Sequence, residues 1–418
     1  MEQKKQFKKN FIWNTLGTGL NAFNSLFFMI IATRINGVEQ AGVFTIAFST
    51  ACIVYAIGLY AGRIYQVTEL DKTISDKDFI ISRVVTNGIM IVGLLFFCFI
   101  RGYDAEKTWV FLLLTIYKAL EAFSDVLYGV LQKKEELDIV GKSLFIKSLL
   151  SIVLFLIVNL ITKNMTISII SMIIICVLII ILYDFRKANK YIDYKIKAKS
   201  KNVINILKKG FFTFGISFLG MYVLNAPKYS IDTYLSNDFQ TIFGIIVMPA
   251  TVVGLVAQFL IHPYLTQILN LYEKVDLKNL KKLILKLIVL VIGFGLIATI
   301  LGYFVGTQVL GAIYGVDLSA YKIELAVVIL SATLYTIVTI YSSVLTTVRQ
   351  TVSQFIIYIS VALGAFLLSN FLTKSWEIKG AVIAYFSIMA LAAIIYTVYT
   401  NIKLNKIFKT LKPIDNTK

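Results

Sequence analysis

The sequence predicts an all-α polytopic membrane protein of about twelve transmembrane helices in two parallel-repeat six-helix bundles with a central cavity. Three observations carry this expectation. About twelve stretches of the 418-residue chain are apolar and roughly 20 residues long, the length at which a helix rising about 1.5 Å per residue matches a hydrocarbon core of about 30 Å. The longest segment between two of them is about 25 residues, too short for a soluble domain that would hold a conventional active site. Hydrophobic residues make up 58% of the chain against 15% charged, and the mean hydropathy is +0.80.

The spans are expected at about 11–33, 41–62, 79–100, 108–131, 143–162, 165–185, 211–234, 241–264, 283–306, 323–346, 352–373 and 380–400. The first follows Lys4, Lys5, Lys8 and Lys9 as a signal peptide would. Its apolar run is about 23 residues long, carries Asn14, Asn21 and Asn24, and lacks a small-x-small cleavage site, so it reads as a retained span. Asn14, Thr18, Asn21 and Ser25 form a polar stripe along it, fitting either a wall of a wet cavity or hydrogen bonds to a neighbouring helix. The third span holds Arg83. In the fourth, Lys118, Glu121 and Asp125 are spaced i, i+3, i+7 on one face, and the fifth holds Lys147, positioned to supply a further positive charge or to snorkel.

After the sixth span, residues 186–210 contain nine Lys and Arg and read as a cytosolic linker lying against anionic headgroups. The seventh span places Lys228 and Asp232 one turn apart beside Pro227. Pro249 interrupts the eighth, which ends near His262-Pro263 and so offers a lone histidine at a helix end. Lys286, near the start of the ninth, snorkels. The tenth presents Ser331, Thr333, Tyr335, Thr336, Thr339 and Tyr341. The expected organisation is an N-terminal bundle (1–185), the basic linker (186–210), a C-terminal bundle (211–400) and a basic tail (401–418). Sparse matches at an offset of 200, such as Lys8-Lys9-x-Phe11 with Lys208-Lys209-x-Phe211, place the first and seventh spans in the same orientation.

The formal net charge of +18 is a topology signal and not a nucleic-acid footprint. On the spans above, 29 of the 41 Lys and Arg fall on the side of the N-terminus and 7 on the other, which puts both termini in the cytosol. Trp13, Trp109 and Trp376 fall at span ends as headgroup anchors. Cys52, Cys98 and Cys176 lie singly in apolar spans with no metal or disulfide spacing. There is no P-loop, HExxH or Gly-x-Ser-x-Gly, so no cofactor is expected, and transport would run on a proton or sodium gradient or on membrane potential.

The charges inside the spans are where function is expected. A charged side chain at mid-helix costs about 2.5 to 3.5 kcal/mol, so seven facing lipid would cost on the order of 20 kcal/mol, more than a typical folding stability of about 5 to 15 kcal/mol. Arg83, Lys118, Lys147, Lys228, Glu121, Asp125 and Asp232 must therefore pair, snorkel or line a hydrated cavity.

The strings ATRINGVEQAGVF (32–44), GRIYQVTEL (62–70), DVLYGVLQKKEELDIVGKS (125–143), NAPKYSID (225–232) and FGIIVMPA (243–250) resemble the polysaccharide transporter family. This family comprises O-antigen and capsular repeat-unit flippases, in the superfamily that also holds the multidrug and toxin extrusion antiporters. Glu69, where Asp is commoner, and Lys147, where Arg is common, depart from its pattern. The resemblance implies a V-shaped pair of bundles in a bacterial plasma membrane, carrying an undecaprenyl-pyrophosphate-linked oligosaccharide to the outer leaflet by alternating access. Membrane lipids and other polysaccharide-assembly membrane proteins are the implied partners.

On that reading Arg83, Lys118, Lys147 and Lys228 are candidates for the anionic headgroup, with Arg34 and Arg63 at the cavity mouths. Glu121, Asp125 and Asp232 couple or tune them, while Asn14, Asn21 and His262 add cavity polarity. One rival is a drug or cation antiporter of the same fold, which expects dominant carboxylates. Another is a membrane glycan polymerase or ligase, which expects catalytic residues on a sizeable outer loop.

Overall fold

The computed structural model describes residues 2–60, 62–69, 73–193, 195 and 197–410; the side chains of 2–5, 257–260 and 262 are outside that description, as is the expected tail beyond 410. Every regular element among the described residues is helical. Glu2–Leu59 is helical except at Gly37, where φ is 85° and ψ 172°. Thr45 Oγ1 donates to Met29 Sδ at 3.0 Å across 16 residues, a separation that a straight helix would stretch to about 24 Å. The chain therefore doubles back at Gly37, a backbone conformation open to glycine, and makes two helices, α1 (2–36) and α2 (38–59).

A short helix, Gly62–Thr68, precedes α3 (Asp76–Arg101), α4 (Ala105–Gln132) and α5 (Leu137–Thr162). The start of α3 is fixed by a capping box in which Ser75 and Asp78 satisfy each other's backbone N–H, and α4 starts on Asp104, whose carboxylate accepts from Lys107 N. Helix α6 (Met165–Ile179) continues through a widened π turn, Ile180–Phe185, to Ala188. Next come α7 (Ser200–Tyr234), α8 (Asn237–Ile261), a 3-10 turn at His262–Tyr264 with the short helix Leu265–Glu273, α9 (Leu277–Leu301, running on through a second π turn to Tyr314) and α10 (Lys322–Thr347).

The last stretch, Thr351–Thr410, breaks helical geometry only at Trp376 and Glu377, yet the rings of Tyr358 and Tyr396 lie 5.7 Å apart. It is a second hairpin, of α11 (351–375) and α12 (378–410). Among the described residues nine helices have the length and hydropathy of membrane spans. Two of these double back, and α4, 28 residues long, is long enough but loaded with Lys118, Glu121 and Asp125, so the expected twelve crossings are present.

The chain forms two compact units, Met1–Met221 and Tyr222–Lys418. Their boundary falls inside α7, which begins at Ser200 within the basic segment 186–210. In the first unit Phe28, Phe155 and Tyr117 are fully buried; the ring of Phe28 lies 5.3 Å from that of Phe155 and 6.4 Å from that of Tyr117. Helices α1 and α5 meet backbone to backbone. A Cβ on Gly17 would sit 2.1 Å from Gly141 O, and one on Gly141 would sit 2.2 Å from Trp13 C.

The polar stripe of α1 points partly into that contact. Ser148 Oγ donates to Asn21 Oδ1 and accepts from Asn24 Nδ2, each at 3.2 Å, so these residues join two helices, while Asn14 is half-buried and Thr18 exposed. In the second unit α10 packs against α8, α9 and the α11–α12 hairpin.

The hydroxyls of α10 are less available than the sequence suggests. Ser331, Thr333, Thr336 and Thr339 each donate to the backbone carbonyl four residues back, and the first three are buried. The seventh and eighth spans stay helical through Pro227 and Pro249, whereas the backbone tightens to the 3-10 turn at His262-Pro263. The His262 side chain is outside the described residues.

Gly141→Ala forces Cβ into the α1 backbone and is expected to cost about 1 to 3 kcal/mol. Gly19→Ala, on the same helix as Gly17 but with open space around its Cα, serves as the near-neutral control. Thermal unfolding of the two purified variants in one detergent checks the difference.

Candidate functional site

Helix α4 organises the charges of the first unit. On one of its turns Lys118 Nζ bonds Glu121 Oε2 at 2.7 Å, and the ammonium lies 5.0 Å from the Phe48 ring centroid and 5.6 Å from that of Tyr55. The i, i+3 spacing thus forms an internal ion pair walled by aromatic faces, with both side chains nearly buried.

On another face Lys147, from α5, meets Asp184 Oδ2 at 2.8 Å, Ser124 Oγ at 2.6 Å and Tyr128 OH at 3.1 Å. Asp184 also accepts from Ser143, and Tyr128 OH lies 3.4 Å from its Oδ2. Lys147 is 4% exposed and Asp184 0%, so this is a dry, fully coordinated pair. Among the expected headgroup candidates, Lys147 already has protein acceptors for its three N–H groups, in Ser124, Tyr128 and Asp184.

Sequence reasoning missed Asp184, which the π turn Ile180–Phe185 places beside α4 and α5. Its signal was charge parity: a buried lysine on α5 needs a carboxylate, and Asp184 lies within the expected sixth span.

One turn beyond Glu121, Asp125 receives two arginines. Arg83 Nη2 of α3 is 3.4 Å from Oδ2, and Arg63 Nε of the short helix Gly62–Thr68 is 3.6 Å from Oδ1. Arg83 also donates to Gly58 O, which Thr86 Oγ1 shares at 2.9 Å. The short helix is pinned to α4 by Gln66, whose Nε2 donates to Val126 O at 3.2 Å. A Cβ on Gly129 would strike that amide at 2.1 Å, so the glycine of the DVLYG string makes room for the residue that positions Arg63.

Four cations (Arg63, Arg83, Lys118, Lys147) face three carboxylates (Glu121, Asp125, Asp184). Two of the cations have a carboxylate each, and the uncompensated positive charge falls on the Arg63–Asp125–Arg83 cluster. Arg83 Nε and Arg63 Nη1 are buried and meet no hydrogen-bond acceptor among the described residues. Arg83 is 6% exposed, Asp125 17% and Arg63 29%, so exposure rises across the cluster from Arg83 to Arg63. Two guanidinium forks with open N–H groups are a donor set that matches the oxygens of a carboxylate or phosphate.

Of the other expected residues, Arg34 is exposed near the α1–α2 reversal, and Lys286 is exposed with Nζ 5.9 Å from the Tyr264 ring. In the second unit Lys228 is buried beside Pro227 and Asp232, one turn on, is half-buried.

No family model matches the sequence. The chain is 25% identical over 312 residues to the capsular polysaccharide biosynthesis protein CapF of Staphylococcus aureus, covering 73% of this chain and 77% of that protein. An inward-facing multidrug resistance MATE transporter of the MOP superfamily matches with a TM-score of 0.74 at 12% identity over 96% of each chain. A Pyrococcus furiosus transporter of that superfamily, described by the reverse polarity of its binding pocket, matches with a TM-score of 0.56 at 14% identity over 98% of this chain and 97% of that one. The chain has the MATE fold, and the resemblance to polysaccharide transporters read from its sequence agrees with the similarity to the capsular polysaccharide biosynthesis protein.

Lys147→Ala leaves the Asp184 carboxylate buried without its partner and is expected to destabilise the protein by about 3 to 5 kcal/mol, whereas Lys147→Met combined with Asp184→Leu is close to neutral. Unfolding midpoints of the single and double variants decide it.

Proposed function

We propose that the chain is a flippase that moves an undecaprenyl-pyrophosphate-linked oligosaccharide from the inner to the outer leaflet of a bacterial cell membrane by alternating access, for assembly of a surface polysaccharide. The observation that carries the reading is the surplus positive charge at Arg63 and Arg83. A diphosphate is a compact multivalent anion whose oxygens match two guanidinium forks, and in apolar surroundings that attraction is far stronger than in water. The likeness to a capsular polysaccharide biosynthesis protein supports the same substrate class.

The lipid tail stays in the bilayer while sugars and diphosphate cross. With the N-terminus in the cytosol, as the bias of basic residues favours, membrane potential opposes inward return of the anion. A proton or sodium gradient acting through Glu121 or Asp125 is the other available drive.

A cation antiporter of the same fold is the competing reading. Its substrate would have to displace a lysine from Glu121 or two arginines from Asp125, so the net field at the site opposes it. Proteoliposomes separate the two: the purified chain is expected to expose a labelled undecaprenyl-diphosphate oligosaccharide to an external lectin and to leave organic cations where they were. Cation uptake without lipid movement would overturn the proposal.

Arg63→Gln and Arg83→Gln are each expected to lower lipid translocation at least about tenfold, the effect of losing one charge-assisted contact of about 1.5 to 3 kcal/mol. Arg83→Lys, which keeps the charge but not the fork, should fall between them and the parent. Initial rates at matched protein density are the readout.

A further inference from the structure

We infer that the first unit carries a second anion site, at its N-terminal end, that takes the phosphodiester headgroup of an anionic phospholipid. The start of α1, the α4–α5 turn and the end of α6 enclose an open cleft of about 430 Å³. Its floor is Asp138, 2% exposed, which holds Lys9 Nζ at 2.9 Å and Lys142 Nζ at 3.1 Å and accepts from Gln6 at 3.0 Å. One carboxylate thus orients two ammonium groups, each with donors to spare.

Lys134 and Lys187 complete the lining and form no salt bridge among the described residues; their ammonium groups lie 5.8 Å from the rings of Tyr191 and Tyr183. Of the two glutamates at the cleft, Glu136 accepts from Tyr191 OH at 2.7 Å, and Glu135 is exposed in the left-handed conformation of the turn. Four ammonium groups against three carboxylates leave the cleft positive.

Its depth argues for a lipid. The Lys142 ammonium lies 5.5 Å from the ring of Trp13, half-buried at the edge of the apolar run of α1, and indole rings settle at the headgroup layer. Basic pockets between membrane helices at that layer hold anionic headgroups. A zwitterionic lipid would bring its own ammonium against the lysines. The inference does not rest on the flippase reading, since it concerns a resident lipid and not the cargo.

The test is competitive lipid binding to the purified full-length chain by native mass spectrometry, with phosphatidylglycerol, phosphatidylcholine, undecaprenyl diphosphate and inorganic phosphate as probes. Phosphatidylglycerol is expected to be preferred over phosphatidylcholine. In Lys134→Gln combined with Lys187→Gln that preference should fall about 30-fold, since each surface lysine near an anionic lipid is worth about fivefold.

Both residues are at the surface, and an unchanged unfolding midpoint confirms that the variant folds. Equal retention of the two phospholipids, or a preference untouched by the double substitution, overturns the site. Displacement by inorganic phosphate alone overturns the lipid assignment. Displacement by undecaprenyl diphosphate, lost in the same variant, makes the cleft a cargo entry and also overturns it. Transport is not read in any arm, so this outcome is independent of the flippase test.

Discussion

The cost of dehydrating charge constrains everything else in the first unit. Helix α4 carries an ammonium and two carboxylates through the interior of a membrane protein, and it is stable there because each charge has a partner within reach. The pairing is graded. Lys147 and Asp184 are sealed, with hydroxyls filling the remaining sites. Lys118 and Glu121 are closed by aromatic rings. Along α4 the balance tips at Asp125, where two guanidinium groups converge on one carboxylate with buried N–H groups left over. Buried charged donors without acceptors are expensive, and an anion held at this cluster would relieve that cost.

The supporting architecture follows from small residues at particular positions. Gly17 and Gly141 let α1 and α5 touch, which brings Ser148 to Asn21 and Asn24. Gly129 admits Gln66, and Gln66 fixes the short helix from which Arg63 reaches Asp125. Gly37 reverses the chain so that α2 delivers Gly58, the carbonyl partner of Arg83 and Thr86. None of these contacts is itself chemistry, yet each sets a distance within the cluster.

The span count was legible because bilayer thickness imposes a length on apolar runs, and that length survives even in α4, where charges mask the hydropathy. Helix ends were less legible. Lys-rich flanks such as 200–210 are good helix formers with no apolar signature, so α7 begins about ten residues before its expected span.

In the site, the one-face spacing of Lys118, Glu121 and Asp125 was readable from the 3.6-residue period. The partition of partners was not: whether Asp125 meets a lysine on its own helix or arginines from elsewhere depends on packing between helices. Asp184 escaped notice for a related reason, since the π turn that aims it changes helical phase without an obvious sequence mark. The α10 hydroxyls show the reverse, a polar series legible in the sequence of which four members bond their own backbone.

The central claim is that the arginine pair at Asp125 is an anion-attracting centre and not a structural knot. Its most direct test is the affinity of the purified chain for undecaprenyl diphosphate, compared with a variant combining Arg63→Gln and Arg83→Gln, followed through ligand-induced stabilisation against heat. The account predicts clear stabilisation of the parent chain, weakening as salt is raised, and its near absence in the variant. Equal stabilisation of both proteins would contradict it.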